Sequence, residues 1–208
     1  MPYQRPIALL ALAAGLAVAG CQKNPLLVRR SGCPAVAIPT YAGDVTLFRP
    51  GTAPDANNVD LVATMTNVRE TCNDTTDVLS TSVTYDIVAR RTNPAGARTE
   101  TLPVFATVVQ GGNLIVSKQI GAVAITFADG QARAIGRGGT GARVARSATM
   151  LPADIQSKLD KKRKAGDIDA ATDPMSDPQV RAAVRAASFE LLVGFQLGEA
   201  NLAYNVTK

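Results

Sequence analysis

From about residue 35 onward, apolar and polar residues alternate along much of the chain. The clearest case lies near the C-terminus. Ala187, Phe189, Leu191, Val193, Phe195 and Leu197 share one parity, with Ser188, Glu190, Leu192, Gly194 and Gln196 between them. Period two sends successive side chains to opposite faces of a strand, so the spacing predicts a last strand with one buried face. The adjacent pair Leu191 and Leu192 leaves a buried helix as its rival. Residues 78–91 repeat the pattern, with Leu79, Val83, Tyr85, Ile87 and Ala89 on one face and Ser80, Ser82, Thr84, Asp86 and Arg90 on the other. Shorter β-prone runs cover residues 35–38, 45–48, 61–68, 102–109, 114–118 and 123–127, with further pieces at 133–135 and 143–145. Gln110-Gly111-Gly112-Asn113 separates two of these runs as a hairpin turn, because Gly-Gly accepts positive φ at little steric cost. Asn93-Pro94-Ala95-Gly96 reads as another turn.

The period changes after Leu151. Residues 152–164 have the composition of a surface helix, with Ile155 and Leu159 at i,i+4 and Asp154 in the opening turn. An acidic, turn-rich connector over 166–177 leads to a second helix through Arg185, with Asp177 as N-cap and Pro178 at N1. The expected fold is therefore mainly β. It is an immunoglobulin-like or related two-sheet β-sandwich of seven to nine strands, with a short helical excursion at about 152–185 before the last strand.

The N-terminus follows different rules. Arg5 precedes a run of Ala, Leu, Val and Gly over residues 7–19, the build of an export signal. The run is short for a membrane span, which needs roughly 20 residues. It ends in Val18-Ala19-Gly20-Cys21, which resembles a bacterial lipobox: an aliphatic residue, two small residues and a lipidated cysteine. The resemblance implies that residues 1–20 are a signal peptide removed on export and that Cys21 becomes the acylated first residue, carrying palmitate among its chains. Several chains anchor durably where one does not. Residues 21–32 then form a lipidated tether, and residues 33–208 the domain. Gln22 follows the lipidated cysteine, where Asp is associated with inner-membrane retention. The expected address is therefore the outer membrane, on its periplasmic face.

With Cys21 given to lipid, Cys33 and Cys72 remain, and an oxidising periplasm makes their pairing the natural expectation. No Cys-x-x-Cys spacing supports a redox activity. The formal charge is +5 with Arg5 counted, a modest excess that suits anionic envelope polymers or lipid headgroups. Nucleic acid is not an expected partner of an exported, tethered chain. The chain has no histidine, which removes His-based acid–base chemistry and the commonest neutral metal ligand.

Candidate sites have plain rivals. Gly136-Arg137-Gly138-Gly139-Thr140-Gly141 looks superficially like a phosphate loop but lacks the Lys-Ser/Thr pair of a Walker motif, so a flexible inter-strand loop is the expectation. Asp167, Asp169, Asp173 and Asp177 offer oxygen ligands without the Gly and terminal Glu of an EF-hand loop, so a solvated acidic connector is expected there. Lys158, Lys161, Lys162, Arg163 and Lys164 form a basic cluster, either an interaction patch for acidic glycan or lipid headgroups or simply a solvent-facing helix. There is no Gly-x-Ser-x-Gly elbow and no zinc signature, and no cofactor is expected.

Cys33-Pro34 after a short tether, Cys72, and Gly194-Phe195-Gln196-Leu197 followed by Tyr204-Asn205 bear a faint resemblance to uncharacterised lipoproteins of alphaproteobacteria. That family supplies no catalytic residues to carry over. The expected function is a non-enzymatic, membrane-tethered envelope lipoprotein, the structural or accessory subunit of a protein complex. The alternatives are an envelope glycan-binding module and, behind it, a glycan-acting enzyme that uses paired acids. If the lipobox is used, Cys21→Ser should move the protein from the membrane pellet to the soluble fraction and remove the acyl mass from its N-terminal peptide. An unchanged distribution, or a wild-type N-terminal peptide without acyl chains, would refute the anchor.

Overall fold

The computed structural model describes residues 31–207; the signal segment, Cys21 and most of the tether lie outside the described residues. Eight strands form two four-stranded sheets. They are β1 (Ala35–Ala37), β2 (Asp44–Phe48), β3 (Val59–Asp74), β4 (Val78–Arg91), β5 (Arg98–Gln110), β6 (Leu114–Phe127), β7 (Arg133–Ala145) and β8 (Phe189–Phe195). One sheet has the order β1-β8-β5-β6 and the other β2-β3-β4-β7. All pairings are antiparallel except β1 with β8.

Alternation explains the core. In β4, Leu79, Val83, Tyr85, Ile87 and Ala89 are buried, as their shared parity predicts. Val83, Tyr85, Ile87 and Ala89 share one apolar cluster with Leu102, Val104, Ala106 and Val108 of β5, Val123, Ile125 and Phe127 of β6, and Phe189, Leu191, Val193 and Phe195 of β8, so the core draws on both sheets. Within the 187–197 run, Phe189–Phe195 form a strand rather than a helix, and its pairing partners extend its role. Strand β8 lies inside its sheet, with Val36 opposite Leu191 on one side and Val108 opposite the same residue on the other.

Several strands run longer than their sequence patterns. The predicted 61–68 run continues to Asp74 across an irregularity between Thr66 and Arg69, where Asn67 takes φ 51° and donates to Asp86 at 2.8 Å. Asparagine tolerates that left-handed conformation better than most residues. The runs at 114–118 and 123–127 are one strand, β6, and those at 133–135 and 143–145 are one strand, β7. The expected flexible loop at Gly136–Gly141 is therefore corrected: those glycines sit inside β7, paired residue for residue with β4. Packing explains why glycine stands there. A Cβ on Gly138 would lie 2.4 Å from the ring of Tyr85, its cross-strand partner, and one on Gly141 would lie 2.8 Å from the Thr81 carbonyl oxygen. The Tyr85 ring occupies the space the missing side chain vacates.

The helical excursion forms, but its first helix is shorter than predicted. Helix α1 covers Ala153–Asp160 and α2 covers Pro178–Ala186, the latter capped by Asp177, which accepts from the Gln179 N–H at 2.8 Å. Residues 161–164 leave the helix: continuing it would stack like charges at i,i+3 and i,i+4 (Lys158 with Lys161 and Lys162, and Lys161 with Lys164), while Lys161 and Arg163 pair with Asp169 of the connector instead. A further helix, α3 (Glu199–Thr207), follows β8 without a sequence expectation behind it. It holds β2 in place: Asn205 Nδ2 donates to the carbonyls of Tyr41 and Asp44, and the Tyr204 ring meets Phe48 edge-on at 5.0 Å.

Cys33 and Cys72 form a disulfide, tying the segment before β1 to the distal part of β3. The chain-entropy model assigns roughly 4 kcal/mol to closing a loop of this length. The core makes a sharper claim on a single residue. Leu191→Ala should cost about 2–5 kcal/mol in urea unfolding, since its side chain is fully buried. The matched change Ile168→Ala, at a fully exposed position, should leave the midpoint within error, and equal losses at both sites would contradict the packing.

Candidate functional site

The two sheets each end in an outer strand, β6 in one and β7 in the other. These strands are consecutive in the chain and joined by the turn at 128–132, but they do not pair with each other. Their outward edges therefore carry backbone N–H and C=O groups with no strand partner among the described residues.

Arg91 fixes the closed end of this arrangement. It is almost fully buried, with its guanidinium donating to the carbonyls of Gln131, Ala128 and Pro94 at 2.8, 2.9 and 2.6 Å and lying 5.0 Å from the Phe127 ring centroid. A buried arginine is tolerable when its donors are satisfied in this way. It ties the β4–β5 turn to the β6–β7 turn. Next to it the strands touch: a Cβ on Gly136 would fall 2.8 Å from Ile125 Cγ1 and 3.0 Å from Val123 Cγ1.

Beyond that contact lies an open cleft of about 430 Å³, bordered by Phe105, Gln119 and Gly121 on one side and Arg137 and Thr140 on the other, with Tyr85 also lining it. Burial raises the phenol pKa of Tyr85, which keeps it neutral across the ordinary pH range. The cleft-side stretch of β6 is unusual. From Leu114 to Ala122 every residue is exposed, although Leu114, Ile115, Val116 and Ile120 are large and apolar; Ile120 is 64% exposed. Only at Val123, Ile125 and Phe127 does the strand regain a buried face.

The charges on β6 and β7 themselves have one sign. Lys118 is the sole charged residue of β6, and β7 carries Arg133, Arg137 and Arg143 with no carboxylate. The Lys118 ammonium stands 5.6 Å from the Phe105 ring centroid. Arg137 lies 3.4 Å from Asp86 on β4 while its side chain remains mostly exposed.

The residues singled out from sequence lie elsewhere. Lys158 pairs with Asp177 at 3.0 Å, and Lys161 and Arg163 both meet Asp169, at 2.6 and 3.7 Å. Lys162 and Lys164 form no ion pair among the described residues. The aspartates are also occupied: Asp167 accepts from the Lys164 backbone N–H, and Asp173 caps the turn before α2 through Met175 N–H. The acidic connector thus pairs with three of the five cations, Lys158, Lys161 and Arg163. The cleft was not legible in the sequence because Leu114, Ile115, Val116 and Ile120 look like part of any core strand; the signal was that apolar set beside a second strand with four glycines among its thirteen residues. The chain matches no family model, no curated protein and no solved structure.

The ion pairs predict a titration. A hydrogen bond from Lys158, helped by the Gln179 N–H, holds the Asp177 carboxyl below its usual range, and Lys161 does the same for Asp169. A lowered folded pKa means that the contribution is complete above the unfolded value of about 3.9 and disappears as pH falls through the folded values. In a carboxyl-carbon NMR titration, Lys158→Ala should move the Asp177 midpoint upward and leave Asp169 in place. An unmoved Asp177 midpoint would show that the pair does not form in solution.

Proposed function

We propose that this chain is a non-enzymatic lipoprotein of the bacterial envelope, tethered by lipid on Cys21, that serves as a structural or accessory subunit of a protein complex. One observation carries the reading: an outer strand, β6, displays Leu114, Ile115, Val116 and Ile120 to solvent beside an unpaired backbone edge. Exposed apolar edges of this kind favour association, and soluble proteins ordinarily cover, charge or shorten them. A partner strand or surface is the simplest cover. The Cys33–Cys72 disulfide suits an oxidising compartment, and the lipobox resemblance, with Gln22 after the lipidated cysteine, supports an address on the periplasmic face of the outer membrane. In this reading the two sheets pack as a sandwich related to the immunoglobulin fold, a scaffold whose edges and loops commonly carry recognition.

A second reading, an envelope glycan-binding module, is favoured by one specific feature, the cations Arg133, Arg137 and Arg143 aligned along β7. It differs in needing no protein partner.

Extraction of native membranes in mild detergent separates the two. The complex reading expects the full chain to migrate reproducibly in an assembly larger than itself, surviving digestion of envelope polysaccharide. Consistent recovery as a free lipoprotein would sink it, and loss of the assembly on polysaccharide digestion alone would favour the glycan module.

A further inference from the structure

We infer that the cleft between β6 and β7 is a strand-accepting site whose occupant is an extended, acidic segment of a partner protein. This rests on the complex-subunit reading and specifies its site and partner chemistry. The geometry has three parts. Both walls are outer strands with unpaired backbone edges, so an extended segment laid between them finds N–H and C=O partners on β6 and β7. The β6 wall is low: Gly121 borders the cleft without a side chain, and the space its Cβ would take is open apart from Val104 Cγ2 at 3.8 Å, so another backbone can approach there. The exposed Leu114, Val116 and Ile120 supply apolar surface for alternate side chains of the incoming strand.

Charge decides the occupant. On the cleft side of the Gly136 contact, β6 bears Lys118 and β7 bears Arg137 and Arg143, neither strand carries a carboxylate, and the nearest acid, Asp86 of β4, is already paired with Arg137 at 3.4 Å. An acidic segment meets opposite charge on both sides. A second copy offering its own β6 would instead bring another Lys118 among these cations, and like charges across a strand pair are unfavourable.

Gly121 provides a way to block the cleft. A Cβ there meets only Val104 Cγ2, at the ordinary contact distance of 3.8 Å. Gly121→Val therefore projects a branched side chain from the β6 wall, rooted at a Cβ position clear of the rest of the domain.

The test uses the purified full chain in detergent and a blocked synthetic peptide of alternating valine and glutamate, compared with its valine–lysine counterpart. Hydrogen exchange read by mass spectrometry should slow about tenfold in peptides spanning 114–122 and 137–145 when the acidic peptide binds. The lysine peptide should bind at least about threefold more weakly, the scale of an exposed charge pair. Gly121→Val should abolish the protection while keeping the wild-type unfolding midpoint. Lys118→Glu, which leaves the cleft open, should narrow or invert the acidic preference. Equal binding of the two peptides, or protection confined to other segments, would overturn the proposal. So would protection that grows with protein concentration in the absence of peptide, which points to a second copy. Polygalacturonate protecting the same segments more strongly than the acidic peptide would assign the cleft to an acidic glycan. If Gly121→Val leaves the native envelope assembly intact, the complex reading stands and the strand-accepting cleft fails alone.

Discussion

The core of this domain closes only when its last strand docks. Strand β8 enters between β1, near the start of the described chain, and β5, in its middle. Its inward residues Leu191 and Val193 are fully buried, with Phe189 and Phe195 nearly so. Without it, β5 and β6 form a lone hairpin, and two-stranded hairpins are marginal in water. The inner face of the second sheet would lose much of its cover. Burial of four large side chains from one strand thus depends on pairings 79 or more residues distant in sequence, which is the kind of contact that folds late and slowly. The disulfide and α3 act on the same problem from outside the core. Each fastens an early segment, before β1 or at β2, to a later part of the chain.

How much of this was legible follows from which forces are local. The alternation in residues 78–91 and 187–197 was readable because burial on one face acts residue by residue. The hairpin at Gly111-Gly112 and the cap at Asp177 were readable for the same reason, since turn and cap chemistry depend on near neighbours. The β7 glycines were not. Taken alone, a stretch with four glycines in six residues from Gly136 to Gly141 lacks the side chains that define a strand. Its strand identity comes from β4, where Tyr85 fills the space above Gly138. Helix α3 was hidden too, because what fixes it is a buried asparagine reaching two carbonyls over 160 residues away in sequence. The basic run from Lys158 to Lys164 was visible, but the pairing of Lys158, Lys161 and Arg163 with Asp177 and Asp169 depended on how the connector folds back.

The same division explains the cleft. Strand β8 occupies the β5 edge away from β6, so β6 is left as the margin of its sheet. Arg91 then gathers the turns at one end and holds the β6–β7 junction together, while Tyr85 shapes how β7 lies on β4. An open wedge between two sheet margins results from these placements, none of which is encoded in the wall residues themselves.

An exposed apolar margin would ordinarily be a hazard, and its charges bear on how the hazard is met. Natural edge strands are commonly guarded by lysine or arginine, because a copy presenting the same edge meets its own charge. Here Lys118 stands within the exposed stretch of β6, and the facing strand adds three arginines without an acid. That pattern penalises pairing between identical margins. It does not penalise an acidic strand, for which the same cations are attractive. An edge guarded by Pro, a bulge or a covering loop would exclude all comers. Guarding by one sign of charge excludes like and admits opposite, so the device that protects this edge from its own copies also defines the chemistry of what it can receive.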